Sequence, residues 1–112
     1  MRALGPLGKN IGIEVWWSPY HPFSSHLTGQ SSAELAAAYT KASNKTLTMP
    51  LGFKHALFEV ATDVLKRSKA LEPNAIREAI AATQYESIVG PVQWAKGPVP
   101  NVCTTPLVGG QR

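Results

Sequence analysis

This 112-residue chain has a single cysteine, Cys103, so it can form no internal disulfide and supplies no cysteine-rich zinc site. It also lacks a long apolar run. No stretch approaches the roughly 20 apolar residues that a membrane-spanning helix needs. The opening Met1-Arg2-Ala3-Leu4-Gly5-Pro6-Leu7-Gly8 is too short, and too broken by Gly and Pro, to act as a secretory signal. Charge is sparse: 16% of residues are Asp, Glu, Lys or Arg against 44% hydrophobic, a balance that excludes a disordered, self-repelling chain. The net charge of +4 comes from 11 scattered Lys and Arg. The densest group, Lys54, Lys66, Arg67 and Lys69, lies among Glu59 and Asp63, so it reads as a solvated helix face and no nucleic-acid partner is expected.

Catalytic signatures are missing as well. His21, His26 and His55 have no metal-ligand spacing, and no metal is expected. There is no Gly-x-Ser-x-Gly elbow, nor a Gly-rich loop ending in Lys-Ser or Lys-Thr. Ser24, His26 and Asp63 can be written as a triad, but almost any chain of this size offers one. Nothing adjacent to Cys103 supplies a base or lowers its pKa, so it reads as a small apolar residue near an edge strand. The chain is read as a non-enzyme without a cofactor.

What is present is periodicity. Residues 11–17, Ile-Gly-Ile-Glu-Val-Trp-Trp, have the β-branched and aromatic content of a strand, which Ser18-Pro19 ends; residues 1–10 read as an irregular lead. Ser31-Ser32-Ala33-Glu34 offers a capping box for a helix over 32–43. A longer helix is predicted over 51–69, with Phe53, Leu57, Val60, Ala61, Val64 and Leu65 as one apolar stripe and Asp63 and Arg67 paired outside. A third helix starts around Pro73 and buries Ile76, Ala79 and Ile80. Gly90-Pro91 is expected to turn the chain into a short strand at 92–94, and 103–108 to form a last edge strand interrupted at Pro106. Three helices with two to three short strands make an α/β fold.

Several segments carry a likeness in order and spacing. They are Glu14-Val15-Trp16-Trp17-Ser18-Pro19, Leu51-Gly52-Phe53-Lys54-His55-Ala56-Leu57-Phe58-Glu59-Val60, Ala75-Ile76-Arg77-Glu78-Ala79-Ile80, Ser87-Ile88-Val89-Gly90-Pro91-Val92-Gln93-Trp94 and Thr104-Thr105-Pro106-Leu107-Val108-Gly109-Gly110-Gln111. Together they resemble the end of the periplasmic ligand-binding receptors of ABC importers for branched-chain amino acids and related amides. The likeness spans nearly the whole chain, yet covers only the last part of a receptor that is normally two-lobed and several times this length.

The resemblance implies a partial periplasmic-binding-protein type I fold, with residues 1–112 as the C-terminal portion. It implies a location in the periplasm, the signal peptide not being present in this chain. A small amino-acid-like, amide or aromatic-acid ligand would be trapped between two lobes joined by three hinge crossings, and the loaded receptor would dock on a membrane permease. The strand ending at Trp17 and residues 104–110 would be two of those crossings. Ligand-facing residues implied here are Trp17, Phe53 and His55. Lys54-His55 stands where the family often carries a Tyr-Asp pair, a departure that shifts the expected ligand toward one with an aromatic or extended apolar part. Unfilled sheet edges and an uncovered helix stripe lead to an expectation of self-association into a homo-oligomer. The alternative is a stand-alone α/β interaction module that binds a protein partner through that stripe and takes no small ligand.

Overall fold

The computed structural model describes residues 2–111, so Met1 of the expected irregular lead lies outside it. The fold is α/β, as expected, but among the described residues its strands are four and all antiparallel. After two 3₁₀ turns over Arg2–Gly8, broken at Gly5, come β1 (Gly12–Val15), α1 (Ser32–Ser43), α2 (Pro50–Arg67) and α3 (Pro73–Ala81). A hairpin of β2 (Gln84–Ser87) and β3 (Gly90–Gln93) follows, and β4 (Val108–Gln111) is the last described element.

The helices begin where their sequences place them. Ser31 accepts the Glu34 amide, and the Glu34 carboxylate accepts the Ser31 amide at 2.8 Å and its hydroxyl at 3.0 Å. Those bonds, the amide's first, hold the Glu34 carboxyl below its ordinary pKa. Asn44 in the left-handed region closes α1. Pro50 and Pro73 open α2 and α3 at positions where a missing amide costs little. The predicted Asp63–Arg67 pair forms at 2.8 Å. Arg67 also donates to the Ala79 carbonyl and to Thr83 Oγ1, tying the end of α2 to the end of α3.

The strands depart from expectation. β1 stops at Val15, leaving Trp16 and Trp17 outside it. Gly90-Pro91 is no corner into a strand but the start of β3, and the turn is Ile88-Val89, because residues 84–87 pair with 90–93. The last strand is Val108–Gln111 rather than 103–108; Pro106 precedes it and Cys103 lies in no strand.

The hairpin turn is buried, which is unusual for a connection. Ile88 and Val89 sit in the core with Trp17, Ala36 and Ala56. A buried turn must satisfy its amides internally. Glu59, itself fully buried on α2, accepts the Ile88 amide through Oε2 at 3.0 Å. The Ser87 hydroxyl accepts the Val89 amide and donates to the Gly90 carbonyl. Gly90 has φ 104°, and a side chain there would press on Phe23 and Pro106. Burial, then the negative charges of Glu59 and Asp63, push the nearby Tyr85 phenol up.

The predicted apolar stripe of α2 is only partly used. Its fully buried residues are Gly52, Ala56, Glu59 and Val64, a face about a third of a turn from the stripe. Leu57, Ala61 and Leu65 stay exposed, with Phe58 beside them. The molecule is also extended. Its radius of gyration is 16.7 Å, against about 13 Å for a compact chain of this length. The ribbon of β1 and β4 contributes: apart from half-buried Val15 and Gly110, its residues are exposed.

Replacing Glu59 separates its role as acceptor from its charge. Glu59→Ala strands the Ile88 amide and opens a cavity, so urea unfolding should show a loss of about 3 kcal/mol. Glu59→Gln keeps an acceptor and removes a buried charge, so it should stay within about 1 kcal/mol of the native protein.

Candidate functional site at the start of the long helix

The first turn of α2 is the place to which the candidate residues converge in sequence. Met49 caps it without a side-chain hydrogen bond, and Leu51 donates its amide back to Thr48. Pro50 has no amide proton and that of Leu51 is taken, so the end of this 18-residue helix offers partial positive charge rather than a row of free donors, which still suits a carboxylate or another anion.

Trp17 does not face a cleft. Its ring is 1% exposed and lies flat on Gly52, so close that any Cβ there would overlap it. Alternation along the strand predicted over 11–17 would set Trp16 and Trp17 on opposite faces, with Trp17 toward the ligand and Trp16 inside, yet Trp16 is 41% exposed. The orientation of the pair is the reverse of the expected one, and the reason is local. The strand ends at Val15, and Ser18-Pro19-Tyr20-His21 forms a turn closed by a bond from the His21 amide to the Ser18 carbonyl. That turn draws Trp17 under the helix. His21 completes it, its Nδ1 accepting the Ser18 amide at 3.0 Å, which leaves the proton of a neutral ring on Nε2. Trp17 Nε1 and His21 Nε2 are both buried without a partner.

Phe53 and His55 stand on opposite sides of α2, as their two-residue separation requires. Phe53 is half-buried against the core and lines an apolar groove of about 300 Å³ with Leu57, Val60, Val92, Trp94 and Cys103. His55 points to the loop before α1, where its Nε2 lies 3.1 Å from the Ser25 hydroxyl. Ser25 is buried and its hydroxyl also accepts the Thr28 amide, so it links the imidazole to the turn of the loop. The contact holds the imidazole against the loop before α1.

Trp17 is therefore brought next to the start of α2, while Phe53 and His55 diverge from it on either side. Sequence reasoning missed Ser25, whose only signal is its place in a Ser-Ser-His loop, and Glu59, which the helical period had set among outer-face charges. Among the described residues no group of three His, Cys, Asp or Glu side chains could hold a metal, and no helix is long and apolar enough to cross a membrane. No family model matches the chain, and no curated protein or solved structure matches it at a significant level.

The contact between Trp17 and Gly52 is tight enough to test alone. Gly52→Ala should destabilise the protein by about 2–3 kcal/mol despite the better helix propensity of alanine. Thermal unfolding followed by circular dichroism measures it. An unchanged or higher midpoint would mean that the ring does not lie on the helix.

Proposed function

We propose that this chain is the C-terminal portion of an extracytoplasmic solute receptor, which closes on a small amino-acid-like, amide or aromatic-acid ligand and hands it to the permease of an ABC importer. The observation that carries this reading is the pairing of β1 with β4. Gly12 faces Gln111 and Val15 faces Val108, so two segments almost a hundred residues apart run side by side as an exposed antiparallel ribbon. A two-stranded ribbon is marginal by itself. As a pair of hinge crossings it would gain a third strand and a second lobe, and bending there would open and close a cleft.

The start of α2 supports the same reading. Its partial positive charge and His55, held by Ser25, would serve one wall of the cleft, with Phe53 contributing apolar surface from the opposite side of the helix. Trp17 would act from beneath, fixing the height of the first turn. No covalent step is involved; binding and hinge closure are the whole mechanism.

A stand-alone interaction module remains as a second reading, favoured by the exposed Leu57, Phe58 and Leu65 of α2.

One wall of a cleft binds weakly, so the test uses a method that reads weak binding residue by residue. The isotope-labelled chain is titrated with leucine, propionamide and benzoate while its amide resonances are followed. At least one ligand should shift the amides of residues 51–56 in fast exchange, and His55→Ala should reduce the shift. Shifts confined to the α2–α3 groove, or none with any of the three, would contradict the receptor reading.

A further inference from the structure

We infer that two copies of this chain associate about a twofold axis through the exposed face of α2, with Ala61 at the axis. The inference does not need the receptor reading: it rests on the outer face of α2, which shares Leu57, Val60 and Trp94 with the groove beside Phe53.

The exposed face is self-complementary in a specific way. Read outward from Ala61, the helix places the exposed Leu57 and Leu65 four residues to either side and the exposed Phe58 three residues before it; Val64, three residues after, is turned into the core and takes no part in the ridge. A twofold contact sets a patch against itself, so a central small residue with large apolar residues at equal distances is what such a contact needs. With the helices antiparallel, Leu57 of one copy meets Leu65 of the other. Ala61 meets Ala61, where the missing bulk lets the axes approach to about 8 Å. Residues 57, 61 and 65 form one ridge of four-residue spacing, the ridge that packs into its own kind.

The exposures are large for residues this apolar: Leu57 66%, Phe58 68%, Leu65 52% and Ile80 45%. Beside the ridge runs a groove of about 410 Å³ between α2 and α3, lined by Val60, Val64, Ile76, Ile80 and Trp94. Trp94 is fixed at its edge by a bond from Nε1 to the Ile80 carbonyl. Ridge and groove together present on the order of 500 Å² of apolar surface per copy. A twofold contact that covered all of it would bury about 1,000 Å², the lower limit for a specific interface. Like twofold faces meet, so the α3 side of one copy lies beside the α3 side of the other and the two grooves close over each other.

The charges at the rim give the contact a signature. Lys54 of each copy comes near Ser68 and Lys69 of the other, and each copy carries a net charge of +4. The association is thus apolar and opposed by repulsion, and added salt should strengthen it.

Sedimentation equilibrium over a range of protein and salt concentrations tests this. The native chain should dimerise, more tightly at higher salt, and Leu57→Asp with Leu65→Asp should weaken the dimer about 100-fold or more while the helical circular dichroism is kept. In a Cys103→Ser background, Ala61→Cys should form a disulfide-linked dimer on mild oxidation, and Lys41→Cys on α1 should not. If the double variant fails to fold, the cross-linking pair decides alone. A monomer at every concentration, a dimer indifferent to the two aspartates, as exchange of the β1–β4 ribbon would give, or an Ala61→Cys chain that does not cross-link would each overturn the inference.

Discussion

A single hydrogen bond, from the amide of Ile88 to the carboxylate of Glu59, permits the rest of this structure. The β2–β3 hairpin enters the core by its turn, and a turn has amides that no strand satisfies. Without an acceptor reaching down from α2, Ile88 and Val89 would have to lie at the surface. The core of Trp17, Ala36 and Ala56 would then lose its floor. The acceptor is a carboxylate, and its other oxygen, Oε1, is buried without a partner. Burying such a group is costly unless its bonds are made, so the staple holds the hairpin while storing a local cost.

The same bond explains how α2 is turned. To point Glu59 inward the helix must also turn Gly52 and Ala56 inward. These are the small residues that let Trp17 and the hairpin come close. The price is that the widest apolar stripe of α2 is left outside. One helix therefore serves three neighbours: a buried turn beneath it, a candidate ligand wall at its first turn, and an open apolar ridge along its outer side. The exposed β1–β4 ribbon adds a third open surface. In the receptor reading a second lobe would cover the ribbon, and in the proposed dimer a second copy would cover the ridge.

Much of this was legible in the residues. The capping box at Ser31 and Glu34, the prolines opening α2 and α3 and the Asp63–Arg67 pair act within one turn of helix, where local chemistry decides. The strands were harder. Nothing local marks residues 84–87 as a strand, because their pairing with 90–93 depends on a turn that only the tertiary staple makes possible. The shift of the last strand to Val108–Gln111 has the same origin, since its register is set by β1, at the other end of the chain. At the candidate site, alternation along a strand predicted that Trp16 and Trp17 would face opposite ways. They differ in burial as predicted, but the turn at Ser18–His21 chose which one is inside. The periodicity of α2 located its stripe without saying whether the stripe would be covered.

Native-state hydrogen exchange tests the division between a stapled core and open edges most directly. The amide of Ile88 should exchange only through global unfolding, whereas the amides of Gly12–Val15 and Val108–Gln111 should exchange through much cheaper local opening. A ribbon protected as strongly as Ile88, or an Ile88 amide that exchanges as freely as the ribbon, would contradict the account.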